Sequence, residues 1–333
     1  MPALTSAVRP SIAQAMAAFL ELIAASRSAN TARSYHNALT AFALLLDAND
    51  LPPDQTPVAE LPAEAVSWFL AEMRAYAPAS EQMYLVAVSR FYQYLAAEEL
   101  NPINLERLRL LVKTRARKPG KRLPQFPRDD IEKLIDYAAA LHTAPAESDT
   151  AALINHRDRA FILTLADTGL RVSEAVGLRR GDMDWHERRA LIIGKGDQEA
   201  VVRFSSRAIE AVNPYLRLRA DLGYTFGGPV SSMPLFARHD KGAGKKIKPI
   251  GPGTGRNIIK QRLLECLGPE ALGSITPHSF RHYFVTTVLR ATRGNLKLAQ
   301  ELARHKNIQV TQRYAHLSDD ELDRGYHDIF ETS

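Results

Sequence analysis

The sequence predicts a mainly α-helical protein with one small β-hairpin or sheet, divided into two domains. Three observations carry this expectation. Apolar residues recur at helical spacing through most of the 333 residues. One stretch, ALIIGKGDQEAVVRF, instead sets two short β-branched runs around a glycine-containing turn. The chain is also longer than one core usually needs, and a basic stretch with three prolines, KTRARKPGKRLPQFP, interrupts the periodicity. The expected boundaries are a helical domain over 1–112, a basic linker over 113–127 and a second, α+β domain over 128–333.

The elements follow in order. Ser11 is a candidate N-cap for SIAQAMAAFLELIAAS, and Asn30 or Thr31 for NTARSYHNALTAFALLLDAN. Pro62 sits where a first helical turn tolerates proline, opening LPAEAVSWFLAEMRAY. SEQMYLVAVSRFYQYLAAEEL closes a set of four helices before Asn101-Pro102. In the second domain RDDIEKLIDYAAAL reads as a helix. Gly169 divides HRDRAFILTLADTGLRVSEAVGLRR into two helices, as a C-cap would. The hairpin comes next, then more helix, then a Gly/Pro-rich loop over 221–255. Within it GPGTGR lacks the spacing and the Lys-Ser/Thr of a Walker loop; it is expected as a turn feeding a helix from Arg256 to Cys266. SDDELDRGYHDIF carries Leu322, Tyr326, Ile329 and Phe330 at helical spacing, suiting a terminal helix docked on its own domain or on a neighbouring subunit.

Composition narrows the function classes. Hydrophobic residues at 45% and charged residues at 24% exclude a disordered chain. The net charge of +6 is concentrated. Arg115, Arg117, Lys118, Lys121 and Arg122 form one cluster; Lys241, Lys245, Lys246 and Lys248 form another. Such clusters suit a polyanion such as nucleic acid, and equally suit solvated loops. The single cysteine, Cys266, excludes an intramolecular disulfide and a cysteine zinc cage and fits a reducing, cytoplasmic compartment. The apolar stretch from Ile12 to Ala25 is broken by Gln14 and Glu21 and reads as an amphipathic helix, not a signal peptide. No apolar run reaches the length of a membrane span, so none is expected.

One segment poses a chemical question. TPHSFRHYFVTTVLR sets His278, Arg281 and His282 beside an apolar stripe of Phe280, Phe284, Val285 and Val288. His278 and His282 have an i, i+4 spacing that could bind zinc, but Arg281 between them would repel the metal; no metal is expected. Four other residues, Arg171, Lys195, His305 and Tyr314, complete a set. Arg171 follows the glycine break at a helix start, where anions are favoured. Glu174, one turn on, can hold its guanidinium. Lys195 lies at the hairpin turn, His305 follows a helix, and Tyr314 lies on the next one. Guanidinium forks match phosphate oxygens, and a phosphoryl transition state needs positive charge at its non-bridging oxygens. Tyr314 is the natural nucleophile. On the order of one tyrosine in a thousand is phenolate at neutral pH, so cationic neighbours and a base must assist it. Lys195 on a hairpin can protonate a leaving oxygen. Paired carboxylates for a two-metal site are missing from the pattern, so a mechanism without metal or other cofactor is expected.

The stretches TGLRVSEAVGLRRGDMD, GKGD, TPHSFRHYFVTTVL and LARHKNIQVTQRYAHL resemble the catalytic domain of the tyrosine recombinase (phage integrase) family. SANTARSYHNALTAFALLL is similar to the same family's core-binding domain. The resemblance implies a helical core-binding domain followed by a tyrosine-recombinase catalytic domain, and site-specific recombination of double-stranded DNA. On that reading Tyr314 attacks the phosphodiester to give a 3′-phosphotyrosine, Arg171, Arg281 and His305 stabilise the pentavalent phosphate, and His278 assists. Lys195 is then the general acid, Glu174 and His282 support the site, and Arg115, Arg117, Lys118, Lys121, Arg122, Lys245 and Lys246 contact DNA. It further implies a homotetramer on two DNA sites, a Holliday junction, no need for ATP, an optional accessory protein and a cytoplasmic, DNA-associated location. Three departures stand out. Leu302-Ala303-Arg304-His305 lacks the family's usual glycine before the histidine, so Arg304 is expected either to add a phosphate contact or only to change the local turn; the 221–255 loop is long; and no separate arm-site module is expected ahead of the first domain, which favours a Xer or Cre type. Two rival classes make contrary expectations. An idle DNA-binding relative would have lost the tyrosine or an arginine, and a type IB topoisomerase would relax supercoils as a monomer.

Overall fold

The computed structural model describes residues 10–117, 127–194 and 198–315, with Gln198, Arg313, Tyr314 and Ala315 described by backbone alone. Lys118, Lys121, Arg122, Lys195 and the anticipated helix beyond Leu317 lie outside the described residues. The chain divides into two compact units, Met1–Arg122 and Leu123–Ser333, each with its own core.

The first unit is helical: α1 Ile12–Ser26, α2 Ala29–Asp47, α3 Ala65–Glu72, α4 Pro78–Ala97 and α5 Leu105–Arg115. Phe19, Phe42, Phe69, Phe91 and Tyr92 fill its core. Ser11 caps α1 through a reciprocal box, accepting from Gln14 N at 3.2 Å and donating its own N–H to Gln14 Oε1 at 2.9 Å. The cap of α2 is Ser28, not Asn30 or Thr31. Pro62 precedes α3 rather than opening it, and its carbonyl accepts from Tyr92 Oη at 2.8 Å. The fifth helix was not expected. Asn104 caps it, and the buried Asn101 amide secures the chain ahead of it by donating to the Val58 and Leu61 carbonyls.

This helix changes the reading of the basic stretch. Residues 113–115 are helical, not linker, and Arg115 is exposed at its end. Arg117, expected as a phosphate ligand, forms a staple within the first unit. Its Nε lies 2.5 Å from Glu81 Oε2, its backbone N donates to Glu81 Oε1 at 2.9 Å, and Nη2 donates to the Tyr76 carbonyl at 2.7 Å. Glu81 is 1% exposed. Burial pushes its carboxyl up, yet the hydrogen bonds and charge of Arg117 outweigh this and hold it below the ordinary value.

The second unit comprises α6 Arg128–Ala140, α7 Asp149–Thr168, α8 Val172–Gly177, β1 Met183–Asp184, β2 Arg189–Gly194, β3 Gln198–Arg203, α9 Ser206–Asp221, α10 Pro252–Leu267, α11 Pro277–Ala291, α12 Leu296–Ala303 and α13 Ile308–Ala315. The long α7 is the central post, packed by α6, α9 and α11. The anticipated hairpin is β2 and β3, antiparallel with Ile192 opposite Ala200; the short β1 adds a third strand. Along β2, Ala190 and Ile192 face the core while Leu191 and Ile193 face out, the period-2 pattern of a half-buried sheet.

The 221–255 segment is shorter as a loop than expected, because α10 begins at Pro252 and GPGTGR forms its first turn. Proline suits that position. Gly255 serves packing, since a Cβ there would stand 2.8 Å from Val172 Cγ2 on α8. The remaining loop is held from below by a buried polar cluster. Tyr215 Oη meets His239 Nε2 at 2.9 Å and accepts from Ala237 N at 3.1 Å; Arg219 donates to the Pro234 and Leu235 carbonyls. Lys241, Lys245, Lys246 and Lys248 are exposed on this loop, although Lys245 Nζ donates to the Leu222 carbonyl at 2.9 Å.

Candidate active site

The site starts at a helix end. α7 stops at Gly169, whose φ of +60° is left-handed and natural for a glycine cap. A side chain there would meet Phe284 Cδ1 at 2.5 Å. The turn points the Gly169 carbonyl at Arg281 Nη1, 2.7 Å away. Arg281 projects from α11, 2% exposed, and also donates to the Ala303 carbonyl at the end of α12 and, through Nε, to His305 Nε2 at 3.3 Å. One guanidinium thus ties α7, α11 and α12 together. Phe280 and Val285 are fully buried beneath it, while Phe284 and Val288 of the anticipated stripe are only partly covered.

Two residues past Gly169, Arg171 is the N-cap of α8. Its Nη1 lies 2.6 Å from Glu174 Oε1, and its backbone N donates to Glu174 Oε2 at 2.9 Å. Arg171 is 48% exposed in its side chain, so the guanidinium is oriented yet reachable; Glu174 is 7% exposed. Burial pushes the Glu174 carboxyl up, but the Arg171 hydrogen bonds and the Arg304 charge prevail and keep it below the ordinary range.

His305 enters the turn between α12 and α13, which Gln300 braces by donating to its carbonyl at 3.0 Å. Its Nδ1 lies 2.8 Å from Thr311 Oγ1 on α13. With Nε2 accepting from Arg281, the neutral ring carries its proton on Nδ1 and donates to Thr311. Desolvation, then Arg281, Arg171 and Arg304, press the imidazole down to about 4. His278 is exposed on the first turn of α11, and His282 stands behind it, with ring centroids 4.3 Å apart and planes at 78°. Desolvation and the neighbouring cations lower both, His282 to about 4.

Arg171, Glu174, His278, Arg281 and His305 line one cleft of about 390 Å³. Gly194 on β2 and Glu199 on β3 border it as well. α13, which carries Tyr314, packs on α11 and α12. Sequence reasoning did not find the Gly169 carbonyl or Thr311 as anchors, since neither residue type announces a role. It also left Arg304 undecided. The structure puts that residue in the left-handed region, φ 56°, at the end of α12. That costs a non-glycine residue about 1–2 kcal/mol. The Arg304 side chain reaches into the cleft, 3.4 Å from Glu174 Oε2.

What this arrangement can do is bind an anion of phosphate geometry between oriented guanidiniums, with neutral imidazoles as hydrogen-bonding partners. Residues 125–321 match the phage integrase family. The chain is 32% identical over 302 residues to the tyrosine recombinase XerC of Treponema denticola, across 89% of this chain and 91% of that protein. It is 30% identical over 256 residues to the tyrosine recombinase XerD of Lacticaseibacillus casei, across 75% and 76%. Among solved structures, XerH bound to palindromic difH substrate in a post-cleavage complex aligns with a TM-score of 0.65 at 15% identity, covering 98% of this chain and 99% of that one. A lambda integrase dimer bound to a COC′ core site aligns with a TM-score of 0.65 at 16% identity, covering 93% and 96%. These two likenesses show a shared fold, mainly helical with a small antiparallel sheet. The chain belongs to the phage integrase family and is a tyrosine recombinase similar to XerC and XerD.

Proposed function

We propose that this recombinase cuts and rejoins double-stranded DNA at a specific site through a covalent 3′-phosphotyrosine on Tyr314. The observation that supports it most is the placement of Arg171, Arg281 and His305 in one cleft at the foot of the helix bearing Tyr314. The Tyr314 hydroxyl passes its proton to His278 as its oxygen attacks phosphorus, the bond to the 5′-oxygen breaks, and Lys195 gives that oxygen its proton. Arg171 and Arg281 take the charge that develops on the non-bridging oxygens. His305, neutral at pH 7, donates or accepts a hydrogen bond rather than a charge. His278, at the exposed mouth, assists proton transfer, with His282 supporting it. The phosphotyrosine conserves the energy of the broken bond, so religation needs no ATP, and guanidiniums stand in the role a metal would otherwise fill.

Four copies on two DNA sites cut in two successive pairs: the first pair exchanges one strand of each duplex to give a Holliday junction, and the second pair exchanges the other. The solved relatives named above are bound to DNA, which favours DNA as the partner of this chain too. Arg115, Lys118, Lys121 and Arg122, with Lys245 and Lys246, are the proposed phosphate contacts outside the cleft. No helix among the described residues is long and apolar enough to cross a membrane.

The test is covalent capture. Nicked duplexes from DNA flanking the gene are incubated with the full chain and resolved on a denaturing gel. A protease-sensitive adduct is expected with wild type and absent with Tyr314→Phe. Arg171→Ala should slow adduct formation by about 10²–10³-fold, the usual loss for one oxyanion-stabilising donor. An adduct that survives Tyr314→Phe would assign the nucleophile elsewhere.

A further inference from the structure

Arg304 stands where the backbone favours glycine, with φ 56° and ψ 43°. Its side chain is nevertheless 12% exposed, turned into the cleft and aimed at Glu174. Among the described residues its guanidinium makes two long hydrogen bonds, to the Leu302 carbonyl at 3.3 Å and to Glu174 Oε2 at 3.4 Å. Glu174 already holds Arg171 through both carboxylate oxygens. One carboxylate therefore faces two guanidiniums.

The charge count gives this arrangement a purpose. A carboxylate is a good clamp for Arg171, but it sits on the wall of a cleft that must receive an anion. Alone, it would cancel the charge it orients. Because Glu174 is 7% exposed, solvent and salt screen that repulsion poorly. A second cation on the same carboxylate removes the conflict. We propose that Arg304 is a positioning residue that neutralises Glu174, so that Glu174 can fix Arg171 without repelling the phosphate. The proposal rests on the reading of this cleft as a phosphate site and adds the device that sets its net charge.

The test uses the full chain and inorganic phosphate, titrated at constant ionic strength and followed by the rise in Tm. The variants are Arg304→Gly, Arg304→Lys, Glu174→Gln and the double variant Glu174→Gln/Arg304→Gly. Glycine suits the left-handed turn, so Arg304→Gly should melt no lower than wild type without phosphate. Its apparent phosphate Kd should weaken about tenfold, while Arg304→Lys stays within about threefold of wild type. In the Glu174→Gln background the same glycine substitution should change Kd by less than about twofold, because no carboxylate is left to neutralise. Unchanged affinity in Arg304→Gly would overturn the proposal. So would a tenfold loss that persists beside Glu174→Gln, since Arg304 would then act on the anion independently of Glu174. If Arg304→Gly does not fold, Arg304→Gln is read in the same cycle. Phosphate binding does not involve Tyr314, so failure here is distinguishable from failure of the covalent-capture experiment.

Discussion

Gly169 decides where Arg281 can point. Its positive φ turns the chain out of α7, its missing Cβ admits the Phe284 ring, and its carbonyl receives the guanidinium. Gly169→Ala meets two penalties at once, the left-handed backbone and a Cβ 2.5 Å from Phe284 Cδ1. We expect a loss of about 2–4 kcal/mol in stability, read from urea unfolding. Cleavage should fall further than the unfolded fraction explains, because Arg281 loses the direction of its anchor. A variant with wild-type stability and wild-type cleavage would show that the turn has slack the geometry does not suggest. Thr311 acts at a smaller scale through the His305 ring, accepting from Nδ1 and so keeping Nε2 free of its own proton toward Arg281. A valine there keeps the shape but removes the acceptor that Thr311 Oγ1 offers the Nδ1–H.

At the scale of elements, the legible parts were those whose reason is local. The hairpin showed through its β-branched alternation, the α7–α8 break through Gly169, and the odd polarity of α11 through His278 and Arg281. α5 was missed because five of its eleven residues are charged and only Leu108 is fully buried; its stripe of Leu105, Leu108 and Val112 against the core is short, and Asn104 caps it. The start of α10 was misread because the need for glycine there comes from Val172, some eighty positions earlier in the chain, and no local rule reveals that contact. The Arg117–Glu81 pair was not legible, because a basic run says nothing about which of its members finds a carboxylate. The two readings of Arg117 make opposite predictions. As a staple, Arg117→Gln should lower stability of the full chain by about 1–3 kcal/mol, since it strands the buried Glu81, and leave the salt dependence of DNA binding unchanged. As a phosphate ligand, it would leave stability alone and reduce the slope of log K against log salt by about one. Urea unfolding and binding titrations at several salt concentrations separate the two.

Over the whole molecule, the titrating groups are distributed unevenly between the two units. Among the described residues, five histidines have depressed values: His156, His239, His278, His282 and His305, all in the unit Leu123–Ser333. Desolvation is the largest cause for each, with His239 lowest, at about 3, beneath the loop it anchors through Tyr215. The sign follows from proton counting. These rings are neutral when folded and titrate near 6.5 when unfolded, so below that pH the unfolded chain binds more protons and stability falls. Their contribution is present above about 6.5 and is lost as pH drops toward 4 and 3. In the unit Met1–Arg122 the corresponding liability is Glu81, a depressed carboxylate, whose contribution is lost only as pH falls below about 4.5. Between about pH 6.5 and 4.5, then, acid should weaken the second unit and spare the first. The chain's two tryptophans allow this to be seen, because Trp68 lies in the first unit and Trp185 in the second. In Trp185→Phe the remaining fluorescence reports the first unit, and in Trp68→Phe the second. Urea midpoints measured at pH 7 and 4.5 should fall for the Trp185 reporter, corresponding to about 3 kcal/mol or more, and hold for the Trp68 reporter. Adding His239→Gln should flatten the Trp185 response without touching the other. Equal losses at both reporters would mean that the acid sensitivity does not come from the desolvated histidines around the cleft and the loop.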